Sequence, residues 1–414
     1  MAVKLGNGNW AVKEDKLLAY NDNSGRFFNK EFDFARGSSA TYVAKDGLIK
    51  SAASDVPRID FSDSTNGALL LEPQSTNLLT YSEDLTQWSS KTNINVTLNS
   101  AISPQGVNNA AFINENTNNV QHFIGQSFSF TNGEDITISI YAKKNQRDVL
   151  QISPSGSYLT TSGYANYDLT NGLVTASGGG VNAEIEILTN DWFKCIAKFT
   201  VNNSATGTTA FFLQNSTTAS RGASYQGDGT SGLYLWGAQF EQKSYATSYI
   251  PTSGSATTRL ADVCNNSGSA QDFNSEEGVL YAEISALAND GTFRFITLSN
   301  GGDINNSVRL YFYNKIYGRI LVAGVEQFVS FTTSYDMLDV NKIAIKHKEN
   351  DFALWINGVE VGSSSSGSVF PIGTLDTLSF NRGGGQFPFY GKTKNIQVFN
   401  YALTDEQLAA LTTI

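Results

Sequence analysis

Ile136-Thr137-Ile138-Ser139-Ile140-Tyr141 alternates large apolar side chains with small polar ones at every step. A period of two sends successive side chains to opposite faces of an extended chain, so the stretch reads as a strand with one face in a core. Comparable strand-length runs follow in Tyr164-Ala165-Asn166-Tyr167-Asp168-Leu169, in Trp192-Phe193-Lys194-Cys195-Ile196-Ala197-Lys198-Phe199, in Ala210-Phe211-Phe212-Leu213 and in Leu233-Tyr234-Leu235-Trp236. They resume at Gly278-Val279-Leu280-Tyr281-Ala282-Glu283-Ile284, Val308-Arg309-Leu310-Tyr311-Phe312 and Phe352-Ala353-Leu354-Trp355-Ile356. Many short strands separated by turn clusters indicate an all-β chain built of sandwiches or jelly rolls. One helix is expected at the end, because Thr404-Asp405-Glu406-Gln407 has capping-box spacing ahead of Leu408 and Leu411.

Composition agrees with that reading. Charged residues make up only 16% of the 414 residues, against roughly a quarter in an ordinary globular chain, while Phe (26) and Tyr (18) are plentiful. The polar surface therefore falls to Ser, Thr, Asn and Gly, which suit strand faces and turns better than helix surfaces. The net charge of -10 excludes long-range attraction to a phosphate backbone or an anionic membrane, so no nucleic-acid partner is expected. The basic stretch Lys342 to Lys348 alternates with Ile and Ala and reads as the wet face of a strand. No apolar run approaches the ~20 residues that span a bilayer, and no leader pattern precedes Gly6, so no membrane insertion is expected. Two cysteines are too few for a disulfide framework or a cysteine-rich zinc site; Cys195 is expected as a buried thiol and Cys264 in a polar linker.

A prior of roughly 150 residues per domain gives two or three domains. Residues 1–65 hold short extended pieces and turn signals, including Asn21-Asp22-Asn23-Ser24-Gly25, without a large core of their own. Residues 66–252 form the first regular strand series, 253–275 read as a linker, and 276–414 form the second series.

Two sets of residues carry family resemblances. Asp351-Phe352-Ala353-Leu354-Trp355-Ile356-Asn357-Gly358-Val359, with the ending Gly391-Lys392-Thr393-Lys394-Asn395-Ile396-Gln397-Val398-Phe399-Asn400-Tyr401-Ala402-Leu403-Thr404-Asp405-Glu406, resembles laminin G-like, concanavalin A-like domains over residues 276–414. Physically, Asn357-Gly358 supplies the positive dihedrals of a tight hairpin, and Ile396, Val398 and Tyr401 would anchor the last strand inside the sandwich. Upstream, Trp236-Gly237-Ala238-Gln239-Phe240-Glu241, Ala246-Thr247-Ser248-Tyr249-Ile250-Pro251-Thr252 and Thr258-Arg259 are similar to a segment of phage tail and fibre proteins. Phe34-Ala35-Arg36-Gly37-Ser38-Ser39-Ala40-Thr41 and Leu71-Glu72-Pro73-Gln74-Ser75-Thr76-Asn77-Leu78-Leu79 belong to the same resemblance, which spans about residues 30 to 262. It implies two tandem sandwich domains, the first a jelly roll like carbohydrate-binding modules, in a structural protein of a tailed-phage fibre or other appendage. It also implies a homo-oligomer, with a trimer favoured, and an N-terminal segment that attaches to other virion proteins. The expected location is the virion, assembled in host cytoplasm, and the expected outside partner is host surface polysaccharide.

Catalysis would need groups that the sequence offers only in part. Glycoside hydrolysis needs two carboxylates flanking a sugar site, and Glu184-Ile185-Glu186 comes closest, which keeps a polysaccharide depolymerase as an alternative. No acid cluster of the form Glu-x-Asp-x-x-Glu occurs, and His122 and His347 lie in no recognisable catalytic setting, so the chain is expected not to be an enzyme. Asp228 and Asp303 have calcium-type oxygens but sit beside Gly and Asn as turn formers do, so no metal and no cofactor are expected. Glycan binding asks only for exposed rings to stack on the apolar faces of sugars, with a few polar groups for their hydroxyls. Phe387, Phe389 and Tyr390 in the loop after Arg382-Gly383-Gly384-Gly385-Gln386, with Tyr313 and Tyr317, are the candidates; the competing role for each is packing in a core or a subunit interface. A purely architectural head or tail protein is the third reading.

Overall fold

The computed structural model of the chain describes residues 2–6, 11–13, 16–21 and 26–414. Most of the turn expected at 21–25 lies outside them. The chain forms two compact units, one of residues 1–45, 52–74 and 260–414, the other of 46–51 and 75–259. Both are β-sandwiches, and the one α-helix among the described residues is Asp405–Thr412.

In the second unit, two six-stranded antiparallel sheets face each other. One runs Ser90–Thr92, Phe123–Phe130, Ala205–Gln214, Val149–Ser153, Tyr164–Asp168, Leu173–Gly178; the other Ile94–Ile102, Asn108–Glu115, Gly232–Glu241, Asp135–Lys144, Phe193–Thr200, Asn182–Ile187. Ile136, Ile138 and Ile140 point into the core between them, with Ile124, Leu150, Tyr167, Phe211 and Leu235. Thr137 and Ser139 are buried as well, because the other face of their strand is also covered: the Thr137 hydroxyl donates to the Lys243 carbonyl, and Tyr141 packs with Trp236 and Tyr249.

In the first unit, an eleven-stranded sheet includes the path Ala2–Gly6, Gly391–Phe399, Glu277–Ala286, Asn341–Lys348, Phe352–Ile356, Val359–Ser364. A five-stranded antiparallel sheet opposes it in the order Val325–Thr332, Ile316–Val322, Asp303–Phe312, Arg294–Asn300, Thr377–Ser379. Ile296, Leu298, Val308, Leu310, Phe312, Ile320 and Phe328 fill the core from the smaller sheet; Leu280, Ile343, Ile345, Leu354, Ile396 and Val398 fill it from the larger. The hairpin at Asn357-Gly358 has positive φ at both residues, +52° and +83°, as its sequence predicts.

Unit boundaries differ from those expected at 65, 252 and 275. Ala68–Leu71 pairs with Gly391–Phe399, and Leu69 and Leu71 lie in the first unit's core. The stretch 253–275 is shared: Thr257–Arg259 pairs with Ser75–Asn77, whereas Val263–Asn265 pairs with Asp33–Ala35. Cys264 is therefore not in an exposed linker but buried in the core; Cys195 is buried as expected. Tyr401 does not anchor the last strand; it lies beyond the strand's end and is 45% exposed. Nor is the face of Lys342 to Lys348 wet throughout. The closing helix, with its capping box between Thr404 and Gln407, packs Leu408 against Ala344, and Lys346 is buried against Asp351 and Asp405.

Candidate functional site

The residues that carry the phage-type resemblance are structural. Asp262 accepts from Arg36 (3.1 Å), from Arg58 and from the Glu72 N–H (2.8 Å), while Arg58 also pairs with Glu72 at 2.7 Å. Arg36, Arg58, Glu72 and Asp262 are all buried there. In the second unit Asn77 is buried and satisfied on every side: it donates to the carbonyls of Ala238 and Ile250 and accepts from the N–H groups of Leu79 and Phe240. Glu241 accepts from Ser75 and Thr247 in the same way. Such networks fix a chain path and leave nothing to offer a ligand.

The acids weighed for catalysis are on the outside. Glu184 and Glu186 stand exposed on the edge strand Asn182–Ile187, each beside a lysine of the next strand, Lys198 and Lys194. Asp228 accepts from the Thr230 and Ser231 N–H groups and from the Ser231 hydroxyl, which hold its carboxyl far below the usual range. Asp303 is engaged likewise by Asn305 and Asn306, so both aspartates close their own turns. His122 and His347 are buried against backbone carbonyls. Among the described residues no group of three His, Cys, Asp or Glu is placed to hold a metal ion, and no helix is long and apolar enough to cross a membrane. A pocket of about 240 Å³ lined by Tyr81, Glu83, Asp84 and Pro251–Ser253 is below the ~300 Å³ of ordinary ligand sites, and Glu83 is taken up by Tyr249 and Asn109.

The outer face of the five-stranded sheet is different. Because Leu310 and Phe312 face the core, Arg309, Tyr311 and Tyr313 must face out, and strand register sets their neighbours. Phe295 lies opposite Tyr311, Tyr311 opposite Tyr317, and Tyr317 opposite Phe331. The rings form a ladder across four strands, with centroids 4.5, 4.6 and 5.1 Å apart in that order. At strand spacings of about 4.8 Å the ladder is about 15 Å long. A shorter row lies beside it, with Phe293 stacked on Tyr313 at 4.0 Å and Phe387 edge-on to Phe293 at 5.4 Å. Phe331 is 49% exposed, Phe387 41% and Tyr313 37%, while Tyr311 is covered by its neighbours. Burial pushes the Tyr311 hydroxyl up to about 12.

Phe387 also has a left-handed backbone, φ +51°, a conformation that costs a non-glycine residue roughly 1–2 kcal/mol. The loop Gly383-Gly384-Gly385 leads into it, and the Phe295 N–H donates to its carbonyl at 3.3 Å. Its ring is thereby held at the edge of the ladder instead of folding inward.

Of the five rings expected to meet a glycan, the structure brings Tyr313, Tyr317 and Phe387 to one surface. Phe389 is corrected: it is 1% exposed and packs in the core against Phe312 and Phe380, so no face of it is free. Tyr390 is half-buried against that core. Sequence reasoning missed Phe293, Phe295, Tyr311 and Phe331. The signal was the shared parity of 293 with 295 and of 311 with 313, but alignment across strands becomes visible only with register.

No protein-family model matches the chain, and no curated protein matches it. Solved structures match parts of it. The CBM40 module of the Ruminococcus gnavus IT-sialidase, bound to α2,3-sialyllactose, is similar at 17% identity and a TM-score of 0.30, over 36% of this chain and 93% of that one. The NanB sialidase of Streptococcus pneumoniae is similar at 17% identity and a TM-score of 0.30, over 35% of this chain and 25% of that one. Mouse laminin α1 domains LG4-5 give 9% identity and a TM-score of 0.25, over 70% of this chain and 90% of that one. The ligands and activities of those proteins are their own, and the sandwich fold rests on the strand pairing above.

Proposed function

We propose that this chain is a non-enzymatic structural protein of a phage virion appendage that binds host surface polysaccharide through the aromatic ladder on its five-stranded sheet. The ladder carries the reading. Phe331, Phe387 and Tyr313, the exposed rings of the face, each give up part of the roughly 1.5–3 kcal/mol that full burial would return, and exposed apolar patches of this kind mark interaction sites. Flat rings in a row suit the apolar faces of successive sugars, and the unpartnered hydroxyls of Thr297 and Ser299 on the same face suit sugar hydroxyls. Exposed, lysine-paired Glu184 and Glu186 support binding without cleavage. The virion setting rests on the motif resemblance, as do the contact with other virion proteins through residues 1–65 and the trimeric state.

The test is binding of the purified full chain to immobilised host polysaccharide. Tyr317→Ala with Phe331→Ala is expected to weaken it about tenfold, corresponding to roughly 1.4 kcal/mol of lost stacking. Unchanged affinity in that variant would overturn the assignment of the face. Antibody labelling of purified particles is expected at an appendage; unlabelled particles would remove the virion half.

A further inference from the structure

We infer that the glycan held by this face is acidic, its anionic group gripped by Arg309, Arg319 and Arg382; the inference rests on the glycan reading above. Arg309 stands two residues from Tyr311 on the same strand and face, and Arg319 lies directly opposite it on the next strand. Like charges in directly opposed positions are unfavourable, so an empty face carries a cost that a bound anion would relieve.

Arg309 is only 4% exposed, yet no carboxylate pairs with it among the described residues. One Nη donates to the Ile304 carbonyl, and Nε has no hydrogen-bond partner. Burial, then the guanidiniums of Arg319 and Arg382, push its pKa down to about 10. Buried cations are ordinarily paired, and the unpaired one here lies next to the ladder.

The other cations rim the same rings. Arg382 lies 4.7 Å from the centre of the Phe387 ring, and the Lys315 ammonium 4.1 Å from that of Phe331. Two carboxylates temper them: Glu326 pairs with Arg319 at 2.8 Å, and Asp303 acts on Arg309 from a distance. Four cations against two anions make a positive patch on a chain whose net charge is -10. The hydroxyls of Thr297, across the ladder strands from Arg309, and of Ser299 are buried without hydrogen-bond partners. A guanidinium presents a fork of donors that matches a carboxylate or sulfate, whereas neutral sugar hydroxyls gain little from it.

The experiment is binding of the full chain to polygalacturonate, to its methyl ester, to dextran sulfate and to dextran, each with the parent protein, Arg309→Gln, Arg382→Gln and Tyr317→Ala. Polygalacturonate or dextran sulfate is expected to bind at least tenfold more tightly than its neutral counterpart. That preference is expected to shrink in both arginine variants and to weaken with salt. Arg382 is half-buried in a loop outside the strands of the sheet, so Arg382→Gln reports even if Arg309→Gln disturbs folding. A preference confined to dextran sulfate assigns the anion as sulfate, and one confined to polygalacturonate assigns it as carboxylate. Equal binding to charged and neutral chains, lost in Tyr317→Ala but unchanged in the arginine variants, would overturn the acidic assignment and leave glycan binding standing. No binding to any of the four would overturn both.

Discussion

His347 has no exposed surface; its Nε2 faces the Asn274 carbonyl at 3.2 Å and its Nδ1 meets no partner. Burial pushes its pKa down from 6.5 to about 4, against weaker upward pulls from that carbonyl and from Glu277, so the native ring is neutral with its proton on Nε2. Between pH 6.5 and about 4 the unfolded chain takes up a proton that the folded chain refuses. The ring's contribution is therefore intact above pH 6.5 and lost as pH falls toward 4, by roughly 3 kcal/mol at its limit. Urea unfolding of the parent and of His347→Gln at pH 7, 5.5 and 4.5 should show a shallower acid loss in the variant; parallel curves would contradict this. His347 shares the parity of Ile343 and Ile345, so alternation puts it on the core face, but the groups that close over it, Phe370 and the Asn274 carbonyl, come from distant stretches that no local pattern connects.

Elements are held in register by buried charge as well as by core packing. Asp262 binds Arg36 and Arg58 and thereby ties the stretch before strand Ala40–Val43 and the strand Arg58–Asp60 to the segment leading into Val263–Asn265. Asp262→Asn leaves two buried guanidiniums short of one negative charge and should destabilise the first unit by about 3–5 kcal/mol in denaturant titration. A loss below about 1 kcal/mol would show that the network is dispensable. Strands were legible because a period of two survives in Ile136 to Tyr141 and Val308 to Phe312, and the helix because Thr404 and Gln407 are spaced for a cap. The aromatic ladder was only half legible. Tyr313, Tyr317 and Phe387 stand out one by one, but Tyr311 meets Phe295 and Tyr317 meets Phe331 through pairing across strands. Phe389 misled for a related reason: between Phe387 and Tyr390 in a polar, glycine-rich loop, nothing local shows that its ring turns into the core.

At the scale of the molecule, composition sees only neighbours in sequence, whereas the compact units are assembled from distant stretches. Leu69 and Leu71 belong to a core completed by Ile396 and Val398, which no local boundary signal could show. Charge has the same two-level character: a chain of net charge -10 repels acidic polymers in sum but presents a positive, aromatic patch on one sheet. At contact distances the local patch outweighs the distant charge, which salt screens beyond about 10 Å. The most direct measurement is an experimental structure of the full chain with a bound acidic oligosaccharide. Sugar rings are expected along Tyr317 and Phe331 with an anionic group toward Arg309 and Arg319; a ligand seated anywhere else, with that ladder bare, would contradict the assignment.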